Sequence, residues 1–196
     1  FPSDDVTRAF LTAEGRPEDF TALASDEDAV YDKVIDIDLS ALTPMIACPH
    51  SPDNVVKVGD IAGTKVDQVC IGSCTNSSLY DMLKVAALLK GRTIDPSVSL
   101  SISPCIGMGF SPNSGGVSLR TFNRNFEGRS GTADGKVYLV SPETAVAAAL
   151  NGVIIDPMTL GEMPEVTMPD AFKIDDSAIL EPATPEEAGD VEIIRG

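Results

Sequence analysis

Three short stretches of the chain gather residues that could do chemistry. The first, Gly72-Ser73-Cys74-Thr75-Asn76-Ser77-Ser78, lies between a run that reads as a strand and a run that reads as a helix. Loops in that position carry ligands in α/β proteins, and a helix N-terminus offers free N–H groups to anions and favours a thiolate. Cys74 is therefore placed to act as a nucleophile or a metal ligand; the plainer reading is a helix cap built from Thr75, Asn76 or Ser77 beside a buried free cysteine. The second stretch is Arg120-Thr121-Phe122-Asn123-Arg124-Asn125-Phe126-Glu127-Gly128-Arg129-Ser130-Gly131. Arginine forks there could hold carboxylates or phosphates in bidentate geometry, or could pair with the chain's own surplus acids. The third, Pro104-Cys105-Ile106-Gly107-Met108-Gly109, sets glycines beside a thiol and could admit a bulky ligand. Its plainer reading is a flexible surface loop, and no Gly-Lys-Ser/Thr follows to make a phosphate cradle.

The elements that must position these stretches follow from periodicity. Val66–Gly72 reads as a strand, and Leu79–Lys90 as a helix with apolar residues at 79, 82, 83, 86 and 89, closed by Gly91. Ser97–Ser103 and Val137–Val140 read as further strands. Ser141-Pro142-Glu143 supplies a cap, a first-turn proline and an acid before a helix that Gly152 ends. Ile154 reads as the start of another strand. Towards the N-terminus, Pro2–Asp5 caps a helix that stops at Gly15, and a second short helix is expected over Pro17–Ala24. Alternation over 31–39 predicts a half-exposed strand, whereas the prolines at 44, 49 and 52 predict an irregular 44–54. Asp36 and Asp38 share a face of that strand, and His50 reads as a turn residue. Strands alternating with helices predict an α/β fold, a three-layer α/β/α sandwich with a mainly parallel sheet.

Composition narrows the function classes. The 196 residues are 43% hydrophobic and 22% charged, which is globular material rather than a disordered tail. A net charge of −16 argues against duplex nucleic acid as a partner. The apolar runs are too short to span a bilayer, so no membrane partner is expected. No basic-then-apolar leader opens the chain, which gives no support for secretion. The acidity is uneven: residues 1–38 sum to −8, 39–155 to +1 and 156–196 to −9. Within the near-neutral middle, residues 120–136 hold four bases against two acids, a positive spot suited to a small polyanion. The four cysteines, Cys48, Cys70, Cys74 and Cys105, include no Cys-x-x-Cys pair and suit neither a disulfide scaffold nor a conventional structural zinc site.

GSCTNSS at 72–78, PCIGMG at 104–109 and NRNFEGRSG at 123–131, in that order, resemble the aconitase family of iron–sulfur hydro-lyases. FPSD at the start, LVSPETAVAAALNG and the closing VEIIRG extend the likeness over the whole chain. The resemblance implies a 4Fe–4S cluster held by three thiolates with one iron open to substrate. Cys74 matches the first cluster cysteine and Cys105 the last. Asn123 matches an asparagine beside the cluster; Arg124 and Arg129 match the arginines that bind substrate carboxylates. It further implies dehydration and rehydration of a 2-/3-hydroxy tricarboxylate, citrate and isocitrate being favoured, and a cytoplasmic location, or the mitochondrial matrix in a eukaryote. Cys48 and Cys70 match no ligand and read as structural.

Two departures shape the expectation. Here SLSISP runs straight into CIGMG, whereas in the family a few tens of residues intervene and contribute the middle cluster cysteine. The family's catalytic His and Asp residues, its Asn/Glu pair and its catalytic serine belong to domains that this sequence does not contain. The expected organisation is a lead-in over 1–60, an α/β cluster- and carboxylate-binding core over 61–157, and an acidic, proline-rich trailing segment over 158–196. Its expected partners are a small tricarboxylate and the remaining aconitase domains, and it carries no catalytic acid or base of its own. The alternative reading is a cluster-free carboxylate-binding or interaction module of the same fold.

Overall fold

A computed structural model of the chain describes residues 2–105, 108–184, 186 and 189. Ile106 and Gly107 of the PCIGMG stretch, and the closing VEIIRG, lie outside the described residues. The chain forms two compact units, one of residues 34–168 and one of residues 1–33 with 169–196.

In the second of these units, helix α1 spans Asp5–Ala13, and the Asp4 side chain caps it by accepting from the Thr7 N–H. Gly15 follows with φ 74°, the left-handed geometry that ends helices. The trailing segment returns onto this helix: Phe172 N–H donates to Ala13 O at 2.8 Å, and the Phe10 and Phe172 rings meet edge to face at 5.5 Å. Pro17–Asp19 makes a single 3-10 turn in place of the short helix expected over 17–24.

The 34–168 unit is built on one sheet. Its strands are β1 (Met45–Ala47), β2 (Val55–Lys57), β3 (Gln68–Ile71), β4 (Ser99–Ile102), β5 (Val117–Arg120) and β6 (Lys136–Leu139). They lie in the order β2-β1-β6-β5-β3-β4. The β6-β5-β3-β4 portion is parallel, and the β1-β2 hairpin adds an antiparallel margin beside β6. The α/β class with a mainly parallel sheet is therefore as expected. Helix α2 (Leu79–Leu89) follows β3, and helix α3 (Pro142–Asn151) follows β6. The two helices touch, and Lys84 Nζ of α2 meets Glu143 Oε1 of α3 at 2.8 Å, so both lie on one face of the sheet. Val69, Ile71 and Leu119 point to that face and share a core with Val85, Leu88 and the small side chains Ala145, Ala148 and Ala149. Each large apolar side chain sealed there contributes about 1.5–3 kcal/mol. Of the three layers expected, the described residues supply the sheet and this one helical layer.

Alternation along a strand sends neighbouring side chains to opposite faces. The register therefore puts Gln68, Ser99 and Ser118 in one row of the other face, and Cys70, Ser101 and Arg120 in the next. That face is polar, and the backbone at Phe110 crosses it: Phe110 O accepts from Arg120 Nη2 and, at 3.4 Å, from Gln68 Nε2.

Several local expectations change. Residues 31–38 form no strand, and Ile35 and Ile37 stand exposed, because no neighbouring strand offers them a ladder or a face to bury. Strand β1 lies inside the stretch read as irregular, and β2 begins just after it. Ile154 is buried, but beside it only a single bridge forms, between Lys65 and Val153. Strand β5, central in the sheet, carries no strong sequence signal because half of its side chains are polar.

Candidate functional site

The loops that follow β3, β4 and β5 leave the same edge of the parallel sheet, the C-terminal edge where α/β proteins bind ligands. They carry Cys74, Cys105, and the group Asn123, Arg124 and Arg129, so topology alone brings the three sequence stretches to one end of the fold.

The 72–78 loop begins with a sharp reversal, in which Gly72 has φ 131° and Ser73 φ 69°. A Cβ on Gly72 would lie 2.6 Å from Ser103 Cα, so only glycine lets the loop pass the end of β4. Ser78 caps α2, its Oγ accepting from the Asp81 N–H at 3.1 Å and donating to Asp81 Oδ2 at 2.8 Å. The cap expected from Thr75, Asn76 or Ser77 is thus made one residue later. Asn76 instead reaches across to the next loop and donates through Nδ2 to Thr121 O at 2.5 Å. Thr121 Oγ1 completes the link, accepting from the Gly72 N–H at 2.8 Å. Cys74 is exposed on a loop pinned at both ends.

Asn123, Arg124 and Arg129 are exposed on the loop between β5 and β6. Among the described residues the ion pairs involve Arg8, Arg16 and Lys84, so neither Arg124 nor Arg129 is spent on the chain's own acids. Asn125, fully buried, anchors this loop by donating through Nδ2 to Cys48 O at 2.9 Å and to Val137 O at 3.0 Å. The loop's far side is fixed by Thr132 Oγ1, which donates to Pro112 O at 2.6 Å.

A cavity of about 300 Å³ opens between these loops, lined by Cys105, Phe110, Ser111, Arg120, Arg129 and Ser130 with backbone of Gly109, Gly128 and Gly131. It brings Cys105 and Arg129 together; Cys74, Asn123 and Arg124 are not in its wall. Sequence reading grouped Arg120 with the cationic loop, but the structure buries it on β5. Burial holds its guanidinium below the usual arginine value, with Cys70 acting in the opposite sense. Thr121, Asn125 and Ser130 were not singled out, and a threonine, an asparagine and a serine in a loop carry no signal of their own.

The thiols limit what metal chemistry the described residues can support. Cys74 and Cys105 are exposed; Cys70 is fully buried, and burial raises its thiol above the usual range. Burial also raises Cys48, which directly follows β1. No three His, Cys, Asp or Glu side chains converge on a common point among the described residues. Two available thiols fall one short of the three that a cubane cluster with one open iron requires, so the residues present do not fit that group. Among the described residues, no helix is long and apolar enough to cross a membrane.

The sequence matches the model of the aconitase family (aconitate hydratase) over residues 1–105 and again over 103–152. It is 37% identical to 3-isopropylmalate dehydratase large subunit 2 of Archaeoglobus fulgidus over 190 aligned positions, covering 80% of this chain and 46% of the relative. The large subunit of Oleidesulfovibrio alaskensis is 37% identical over 194 positions, covering 82% and 46%. Large subunit 1 of Thermotoga maritima is 37% identical over 191, covering 80% and 46%. The chain thus spans about half the length of the curated relatives it matches. Because 80% of 196 is about 157 residues against 190 aligned positions, some 33 positions of the first relative have no counterpart here. The interruption of the family match at 103–105 falls between β4 and Cys105.

Proposed function

The chain belongs to the aconitase family, and we propose that it is the carboxylate-anchoring α/β domain of a hydro-lyase of that family. The observation that carries the reading is the pair of exposed, unpaired arginines, Arg124 and Arg129, at the C-terminal edge of the parallel strands, in a chain of net charge −16. The sequence has 30 acids against 14 bases, yet among the described residues none of them claims this pair, and a planar fork matches a substrate carboxylate better than an ammonium would.

Eliminating water from a 2- or 3-hydroxy acid breaks a C–H bond beside one carboxylate and a C–O bond on the next carbon. Anchoring the carboxylates fixes which hydrogen and which hydroxyl are removed. Arg124 and Arg129 supply that anchoring, and the Asn123 amide offers a donor and an acceptor beside them. Among the described residues the cavity wall holds no carboxylate, histidine or lysine, which fits a part in binding and orientation. Acid and base come from domains beyond this sequence.

Citrate and isocitrate are the substrates that the motifs suggest. The relatives' names weigh the other way, towards a 3-isopropylmalate-type dicarboxylate, and the term large subunit points to a smaller partner chain. Both substrates present carboxylates to the same arginines. The missing third thiol and the interrupted match at 103–105 favour a second reading, a cluster-free carboxylate-binding module. The deciding experiment is anaerobic reconstitution of the complete protein with iron and sulfide, followed by hydratase assays on citrate, isocitrate and 3-isopropylmalate. Turnover of any one supports the enzyme; saturable carboxylate binding without iron uptake or turnover would replace it with the module. In the active protein, Arg124→Lys should weaken substrate use with iron content unchanged, and unaltered kinetics would remove Arg124 from the site.

A further inference from the structure

Arg120 is a cation in an unusual place. It is only 1% exposed, and no carboxylate pairs with it among the described residues. Its bonds go to neutral acceptors: Nε donates to Ser118 Oγ at 3.1 Å, and Nη2 donates to Gln68 Oε1 at 3.0 Å and to Phe110 O. The Phe122 ring lies 5.3 Å from the guanidinium carbon. These bonds engage Nε and Nη2, and among the described residues no carboxylate supplies the guanidinium with a counter-charge. A buried charge left without a counter-ion is costly, so a fold that keeps one there calls for an anion from outside.

A second, independent group points to the same place. Ser130 is 8% exposed, and its Oγ, sealed from solvent, has no hydrogen-bond partner. Ser130 and Arg120 line the same 300 Å³ cavity, together with Ser111 and Arg129. We propose that this cavity binds one carboxylate of a small hydroxy acid, with the Arg120 guanidinium and Ser130 Oγ as its donors. The volume is at the lower end for ligand pockets and suits a metabolite of a few carbons rather than a nucleotide. Arg120 balances one negative charge there and Arg129 in the same wall a second, which suits a small acid with more than one carboxylate. The inference deepens the reading above, on which it rests for the class of ligand; its buried donors lie outside the exposed arginine pair.

The test is calorimetric titration of the 196-residue chain at low ionic strength with citrate, 3-isopropylmalate and inorganic phosphate. Ser130→Ala removes a hydroxyl that bonds nothing, so the ligand-free melting temperature should hold or rise while carboxylate affinity falls about five- to tenfold. Arg120→Lys keeps the charge but loses the fork and should weaken binding more than tenfold. Lys57→Ala, which deletes one positive charge outside the cavity, should bind as the parent does. A folded Ser130→Ala variant with parental affinity overturns the proposal, as does absence of saturable carboxylate binding at millimolar concentration. Phosphate binding tighter than either carboxylate overturns the assigned ligand class. If Ser130-dependent binding persists while the reconstituted complete protein shows no turnover, this site stands and the hydro-lyase reading falls.

Discussion

Replacing Gly72 by alanine should destabilise the 34–168 unit by an amount that separates two physical terms. Gly72 has φ 131°, a conformation that side-chain-bearing residues rarely adopt, at a cost of about 1–3 kcal/mol. The new Cβ would also sit 2.6 Å from Ser103 Cα and 2.9 Å from Ser103 N, both backbone atoms. Ser103 cannot move away freely, because its N–H donates to Ile71 O at 2.7 Å and β4 is paired to β3 just before it. Relieving such an overlap costs about another 1–3 kcal/mol. The sum, about 2–6 kcal/mol, is to be compared with Gly63→Ala, where φ is 87° and nothing lies within 4 Å of the built Cβ, leaving strain alone. Urea unfolding followed by far-ultraviolet circular dichroism suits a chain with no tryptophan. Should the two variants lose stability equally, within about 0.5 kcal/mol, the close approach of β3 and β4 at this loop would be wrong.

Other expectations concern the helical layer and the thiols. Burial alone pushes the Glu143 carboxyl up, but hydrogen bonds from Lys84, its own N–H and Ser141, with the Lys84 charge, leave it below its usual 4.5; the bond to Glu143 raises Lys84 above 10.5. A lowered carboxyl stabilises above its unfolded value and loses that contribution as pH falls through the folded one. A raised ammonium stabilises below its unfolded value and loses it as pH rises through the folded one. The pair should therefore contribute about 1 kcal/mol between roughly pH 5 and pH 10. Denaturation midpoints should show Glu143→Gln less stable than the parent at pH 7 and level with it well below pH 4, and a constant difference would refute the pair's role. Titration with a thiol reagent should find Cys74 and Cys105 fast, Cys48 slower and Cys70 reactive only on unfolding; a protected Cys74 would contradict the exposed 72–78 loop.

Legibility in the sequence tracked how local the cause was. Ser141-Pro142 and Gly152 bound α3 through caps that act within one turn, and the structure keeps them: Ser141 Oγ accepts from the Thr144 N–H, and Gly152 takes φ 72°. The stretch 31–39 had the right alternation, yet a strand needs a neighbour, and no local pattern reveals one. Strand β5 was missed for the converse reason: Ser118 and Arg120 look like surface residues, and their hydrogen bonds to Gln68 and Phe110 O form only in the fold.

By itself the sequence determined the α/β class, the family and the positive spot within an acidic chain, and it marked out three candidate loops, because composition, caps and motif residues are carried residue by residue. Tertiary structure decided how those loops meet. Parallel pairing brought their ends to one edge, Thr121 tied two of them together, and the cavity joined Cys105 to Arg129 while leaving Arg124 outside its wall. It also decided that Arg120 is buried with no counter-charge among the described residues, since burial and charge pairing depend on every chain segment that packs nearby.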